Sequence, residues 1–91
     1  MREEIAVGDV VISKAGRDAK RLFVVTEVVD AEYVLLCDGD LRKLDKPKRK
    51  KIKHLKRTGI EPMEAVVSGE RILDSDIRKY LKEQGLTEKN R

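Results

Sequence analysis

The residues with chemistry to offer are mostly cations, and they are crowded. Between positions 42 and 57 stand Arg42, Lys43, Lys46, Lys48, Arg49, Lys50, Lys51, Lys53, Lys56 and Arg57, with Asp45 the only acid among them. That window carries +9 in a chain whose formal net charge is +4, which leaves −5 on everything else. Charge so one-sided in one place points to a directed contact with a polyanion rather than to general stickiness. Lysine supplies mobile point charges, and arginine a planar fork that fits phosphate oxygens. Neutralising several phosphates releases counterions, so such binding weakens steeply with salt. The plainer account is a solvated basic segment that keeps a sheet edge from aggregating. The contacts expected from the tract are Lys43, Lys46, Lys48, Arg49, Lys50, Lys51 and Lys53. His54 is placed to stack on a base or donate to a phosphate, or to be a partly exposed strand residue. A second basic set, Lys14, Arg17, Lys20 and Arg21, surrounds a stretch that reads as a loop. It could reach another backbone segment, or be an ordinary charged hairpin loop that Asp18 braces.

Other chemistry is poorly provided for. The sequence holds no glycine-rich phosphate loop, no nucleophile with a candidate base and no carboxylate pair at a supporting spacing. A lone histidine gives neither a metal site nor a catalytic pair. No enzyme activity and no cofactor are expected. Cys37 is the only cysteine, which excludes an internal disulfide. It falls in an apolar run, where a buried small side chain is expected rather than a reactive thiol. The aromatics are Phe23, Tyr33 and Tyr80 alone, whereas modules that read single strands by stacking display several. Phe23 and Tyr33 are assigned to the core and Tyr80 to a helix face. This scarcity favours structured RNA held by shape and backbone.

These charges need a scaffold, and 91 residues allow one small domain. Charged residues make up 42% of the chain, yet the apolar runs at 22–25 and 33–37 suffice for a core. Strands are expected at 7–14, 22–29 and 33–37, with a loop at 15–21. The second does not alternate cleanly: Leu22, Val24 and Val28 favour one face and Phe23, Val25 and Val29 the other, which predicts a bulge. Asp38-Gly39 suits a two-residue hairpin turn leading to a short strand at 41–44. Pro47 and mutually repelling charge make 45–51 a loop, and 52–57 a fifth strand. Residues 1–58 are thus the binding domain and 59–72 a linker. Asp74-Ser75-Asp76 opens a helix over 73–86, with Ile77, Tyr80 and Leu81 on one face and Gly85 as its stop. Residues 87–91 are a polar tail. The expected fold is mainly β, a small SH3-like five-stranded barrel with a C-terminal helical appendage. No segment approaches the length of a membrane span, and Met1-Arg2-Glu3-Glu4 has no apolar run behind it. A cytoplasmic protein, monomeric when free, is expected.

Val7-Gly8-Asp9-Val10-Val11, then Gly16-Arg17-Asp18 and Leu22-Phe23-Val24-Val25, resembles the KOW motif, a strand-loop-strand unit of several ribosomal proteins and transcription elongation factors. The continuation Tyr33-Val34-Leu35-Leu36-Cys37-Asp38-Gly39, with Lys46-Pro47-Lys48-Arg49-Lys50, looks most like one branch. That branch holds SH3-like large-subunit ribosomal proteins of the archaeal and eukaryotic type and small bacterial KOW-domain RNA-binding relatives. The resemblance covers residues 7–55. It implies a ribonucleoprotein component of translation that binds structured ribosomal RNA, with ribosomal proteins as further partners. The alternative is an SH3-like protein-interaction module of a transcription or translation complex, taking polypeptide on the loops and on the face of Ile77, Tyr80 and Leu81. One departure matters: the motif commonly carries glycine where Lys20 stands, and a positive φ there costs lysine about 1 kcal/mol relative to glycine.

Overall fold

Phe23, Val24 and Val25 are all fully buried, although neighbours along a strand point to opposite faces. Both faces of the sheet must therefore be covered. The computed structural model describes residues 4–16 and 19–89. Five strands, β1 (Val10–Ser13), β2 (Leu22–Val28), β3 (Tyr33–Cys37), β4 (Lys48–Lys51) and β5 (Leu55–Arg57), form one antiparallel sheet in the order β4-β3-β2-β1-β5. Two helices follow, α1 (Glu64–Val67) and α2 (Asp74–Lys89).

One face gathers Val11, Phe23, Val25, Val34, Leu36 and Leu55, with Ile5 and Ile52 at its margin. The other packs Val10, Val24 and Cys37 against Met63, Ile77 and Leu81. The helical segment is thus a second layer laid on the sheet. Ile77 is fully buried there, a burial worth about 1.5–3 kcal/mol. The Tyr80 hydroxyl donates to the Glu61 carbonyl and ties residue 61 to α2. Residues 59–72 hold α1 and send Met63 into the core. At the start of α2 the Leu73 N–H donates to Asp76 Oδ2 (2.9 Å), and Asp74 and Asp76 set negative charge at the positive end of the dipole. The backbone of α2 runs past Gly85 rather than stopping there.

The β2–β3 register shifts between Val25 and Glu27, which is the expected bulge. Thr26 sits in it and its hydroxyl donates to the Leu35 carbonyl (3.3 Å). Other boundaries need correction. Residues 41–44 form no strand. Asp38 Oδ1 accepts from the Asp40 and Arg42 N–H groups (2.9 and 2.8 Å), and the Leu44 N–H goes to Asp74 Oδ1 (2.8 Å). The N–H groups of Arg42 and Leu44 thus serve the loop and the helix, and the Arg42 carbonyl accepts from Asp38 and Gly39 (2.9 and 3.1 Å), a turn rather than a ladder with β3. The fourth strand is instead Lys48–Lys51, expected as loop. Pro47 stands just ahead of it, where a missing N–H costs no ladder bond, and an edge position leaves its charges in water. The expected fifth strand is reduced to β5, because Ile52–His54 make a 3-10 turn. The two edge strands do not pair with each other, so hydrogen bonds do not close the sheet into a barrel.

Candidate nucleic-acid interface

The edge strand β4 is Lys48-Arg49-Lys50-Lys51, and its pairing decides which way each charge points. Lys48 and Lys50 stand opposite Leu36 and Val34, on the face of the inner cluster. Arg49 and Lys51 stand opposite Leu35 and Tyr33, on the other face. Basic side chains therefore flank the edge on both sides. No described acid forms an ion pair with Lys48, Arg49, Lys50 or Lys51.

Lys50 joins the two basic sets. Its ammonium donates to the Ala15 carbonyl in the β1–β2 loop (3.2 Å). The Lys14 N–H donates to the His54 carbonyl (2.8 Å), which ties the start of the loop to the 3-10 turn. Lys14, Lys50 and the half-buried His54 thus lie at one end of the sheet, with exposed Lys53 in the same turn as His54. Lys20 is exposed and has φ +71°, the one non-glycine residue with positive φ among those described. Its N–H donates to the Ser13 carbonyl (2.7 Å), so the left-handed turn closes the loop. Arg17 and Asp18 lie outside the described residues. Lys43 and Lys46 are exposed on the β3–β4 loop.

Arg21 has a different setting. Its guanidinium donates to Asp38 Oδ2 at 2.8 Å, with Asp38 buried and the Arg21 side chain 40% exposed. Burial works against the Asp38 charge, but the bond from Arg21, the N–H groups of Arg42 and Asp40, and the Arg21 charge outweigh it. The carboxyl is held below its usual range. Cys37 is buried in β3 and donates to the Lys43 carbonyl (3.5 Å). Burial, against an opposing hydrogen bond with Thr26 and helped by the charges of Asp74, Asp38 and Asp45, pushes its thiol up to about 11. The thiol is structural.

Tyr33 corrects an assignment. It is half-buried, not in the core, on the face opposite the Phe23 cluster (the outer face), with the Arg49 guanidinium 4.2 Å from its ring centroid. Alternation along Tyr33–Cys37 separates Tyr33 and Leu35 from Val34 and Leu36, but does not say which set is covered. The Asp74 and Arg78 contacts to the β3–β4 loop were not visible in any local motif. Arg78 donates to the Gly39 carbonyl at 2.6 Å. Among the described residues no cluster of His, Cys, Asp and Glu could hold a metal ion, and no helix is long and apolar enough to cross a membrane.

Fold and site together define a small, mainly β protein that offers a basic sheet edge beside a basic loop. No family model matches the chain. It is similar to the large ribosomal subunit protein eL14 of Staphylothermus marinus, with 29% identity over 85 residues, a stretch covering 92% of this chain and 83% of that protein.

Proposed function

We propose that this chain is a non-catalytic RNA-binding protein of the translation apparatus. On this reading it is a cytoplasmic ribosomal or ribosome-associated protein that holds structured ribosomal RNA. The observation that carries the reading is the edge strand of four consecutive bases, none paired with a described acid, linked through Lys50 to the loop that bears Lys14 and Lys20. Side chains on one face of a strand repeat every second residue, about 6.6 Å apart, a spacing able to follow a phosphate backbone. The contacts we assign are Lys46, Lys48, Arg49, Lys50, Lys51 and Lys53, with Lys14 and Lys20 from the loop and Lys43 and His54 at the flanks. Arg21 is engaged with Asp38 and serves the site by bracing it.

Similarity to a large-subunit ribosomal protein over nearly the full chain supports the ribosomal setting. The strand order, with a 3-10 turn carrying the chain from one sheet edge to the other, supports an SH3-like, KOW-type reading of residues 1–58. The protein-interaction alternative has less support, because Ile77 and Leu81 already pack on the sheet.

Sedimentation of cell extract tests the proposal. The protein is expected to travel with large ribosomal subunits at low salt and to leave them at high salt. A variant with Lys48, Arg49, Lys50 and Lys51 all changed to alanine should stay at the top of the gradient. Co-sedimentation of that folded variant to the same extent as wild type would refute the assignment.

A further inference from the structure

We infer that the outer face of the β3–β4 edge is a stacking site for one unpaired nucleobase, built from Tyr33, Arg49 and Lys51. Register sets Lys51 directly across from Tyr33 and Arg49 two positions along on the same face. The Arg49 guanidinium carbon lies 4.2 Å from the Tyr33 ring centroid and the Lys51 ammonium 5.8 Å from it. At the shorter distance the guanidinium is in contact with the ring, attracted by its negative face. Arg49 is nevertheless exposed, so the side of the guanidinium away from Tyr33 is open to solvent.

A planar guanidinium is a surface on which bases stack. One already held against a ring loses less freedom when a base arrives, which favours binding. Lys51, on the same face, is placed to meet the phosphate of that nucleotide. It also lines a cleft with Ala31, Glu32, Ile52 and Lys53, which gives a displaced nucleotide room beside the platform. The opposite face of β4 differs. There Lys48 and Lys50 stand on the face of the Phe23 cluster, where the one ring is buried in the core, and Lys50 reaches the β1–β2 loop, an arrangement suited to backbone phosphates. The edge would thus hold a duplex backbone on one side and accept one base from a bulge or loop on the other.

The inference rests on the RNA-binding reading, and the experiment separates the two. Fluorescence anisotropy compares two probes, a fully paired RNA hairpin stem and the same stem with one bulged nucleotide. Wild type is expected to prefer the bulged stem by about tenfold, the order of one stacked base. Arg49→Lys, which keeps the charge and loses the plane, and Tyr33→Leu, which removes the ring, should each bring that ratio close to one. Circular dichroism confirms that each variant is folded, and the exposed Arg49→Lys change keeps the test valid if Tyr33→Leu unfolds. A wild type without preference, or an Arg49→Lys variant that retains it, overturns the stacking site and leaves RNA binding standing. A wild type that binds neither stem overturns both.

Discussion

Gly39 is the position where the helical layer bears hardest on the loop that delivers the chain to β4. Its φ is +76°, and a Cβ built there would lie 2.2 Å from the Asp74 carbonyl oxygen and 3.0 Å from both the Arg78 nitrogen and its Cγ. Two costs therefore follow from Gly39→Ala. The left-handed backbone costs about 1 kcal/mol for a residue with a Cβ. The collision is with backbone atoms of α2 that cannot swing aside, and overpacking of this kind costs about 1–3 kcal/mol. The total of about 2–4 kcal/mol is a large share of the roughly 5–14 kcal/mol expected of a domain this size. It corresponds to a fall in Tm of roughly 10–25 °C. Gly59 and Gly69 supply internal controls, since they have φ of +80° and +77° but nothing within 4 Å of the added Cβ. Alanine at either should cost the backbone share alone, about 1 kcal/mol. Urea unfolding followed by circular dichroism measures all three variants. If Gly39→Ala loses no more than Gly69→Ala, α2 does not clamp the loop as described.

Lys20→Gly should stabilise the fold by about 0.5–1 kcal/mol by relieving the positive φ, read as a rise in urea midpoint; a fall would mean that the lysine side chain has a packing role. Asp38→Asn should cost about 1–2 kcal/mol at pH 7, where it loses the charged partner of Arg21. The folded carboxyl titrates below its unfolded value near 4, so its contribution is complete above about pH 4 and fades as the pH falls through the folded value. The wild-type and variant stability curves should therefore converge in acid, and parallel curves would contradict the pairing. Cys37, with its thiol pushed up to about 11, should resist iodoacetamide at pH 8 until urea unfolds the chain; rapid alkylation of the native protein would contradict its burial.

How much could be read from the residues depended on where their partners lie. The bulge in β2 was legible because both sets of the run at 22–25 are apolar, and a strand covered on two faces has no polar side to set its phase. The positive φ at Lys20 was legible through the motif that usually has glycine there. The fourth strand was not. Lys48-Arg49-Lys50-Lys51 has no apolar period, and it is extended because β3 pairs with it, a long-range cause no local pattern carries. Asp38-Gly39 gave a true turn signal but the wrong turn. The Asp38 side chain takes the N–H groups of Asp40 and Arg42, while Asp74 and Arg78 anchor the loop from far along the chain. The site was legible as charge and not as geometry. Neither the bond between Lys50 and the β1–β2 loop nor the contact of Arg49 with Tyr33 follows from spacing.

If the sheet edge binds RNA through its charges, affinity must depend steeply on salt. Contact with about six phosphates predicts that the logarithm of the association constant falls against the logarithm of salt with a slope of about −4 to −5. Changing Lys48, Arg49, Lys50 and Lys51 together to alanine, with the fold intact, should make that slope shallower by about 3. An unchanged slope and an unchanged affinity in that variant would mean that the β4 edge does not bind RNA.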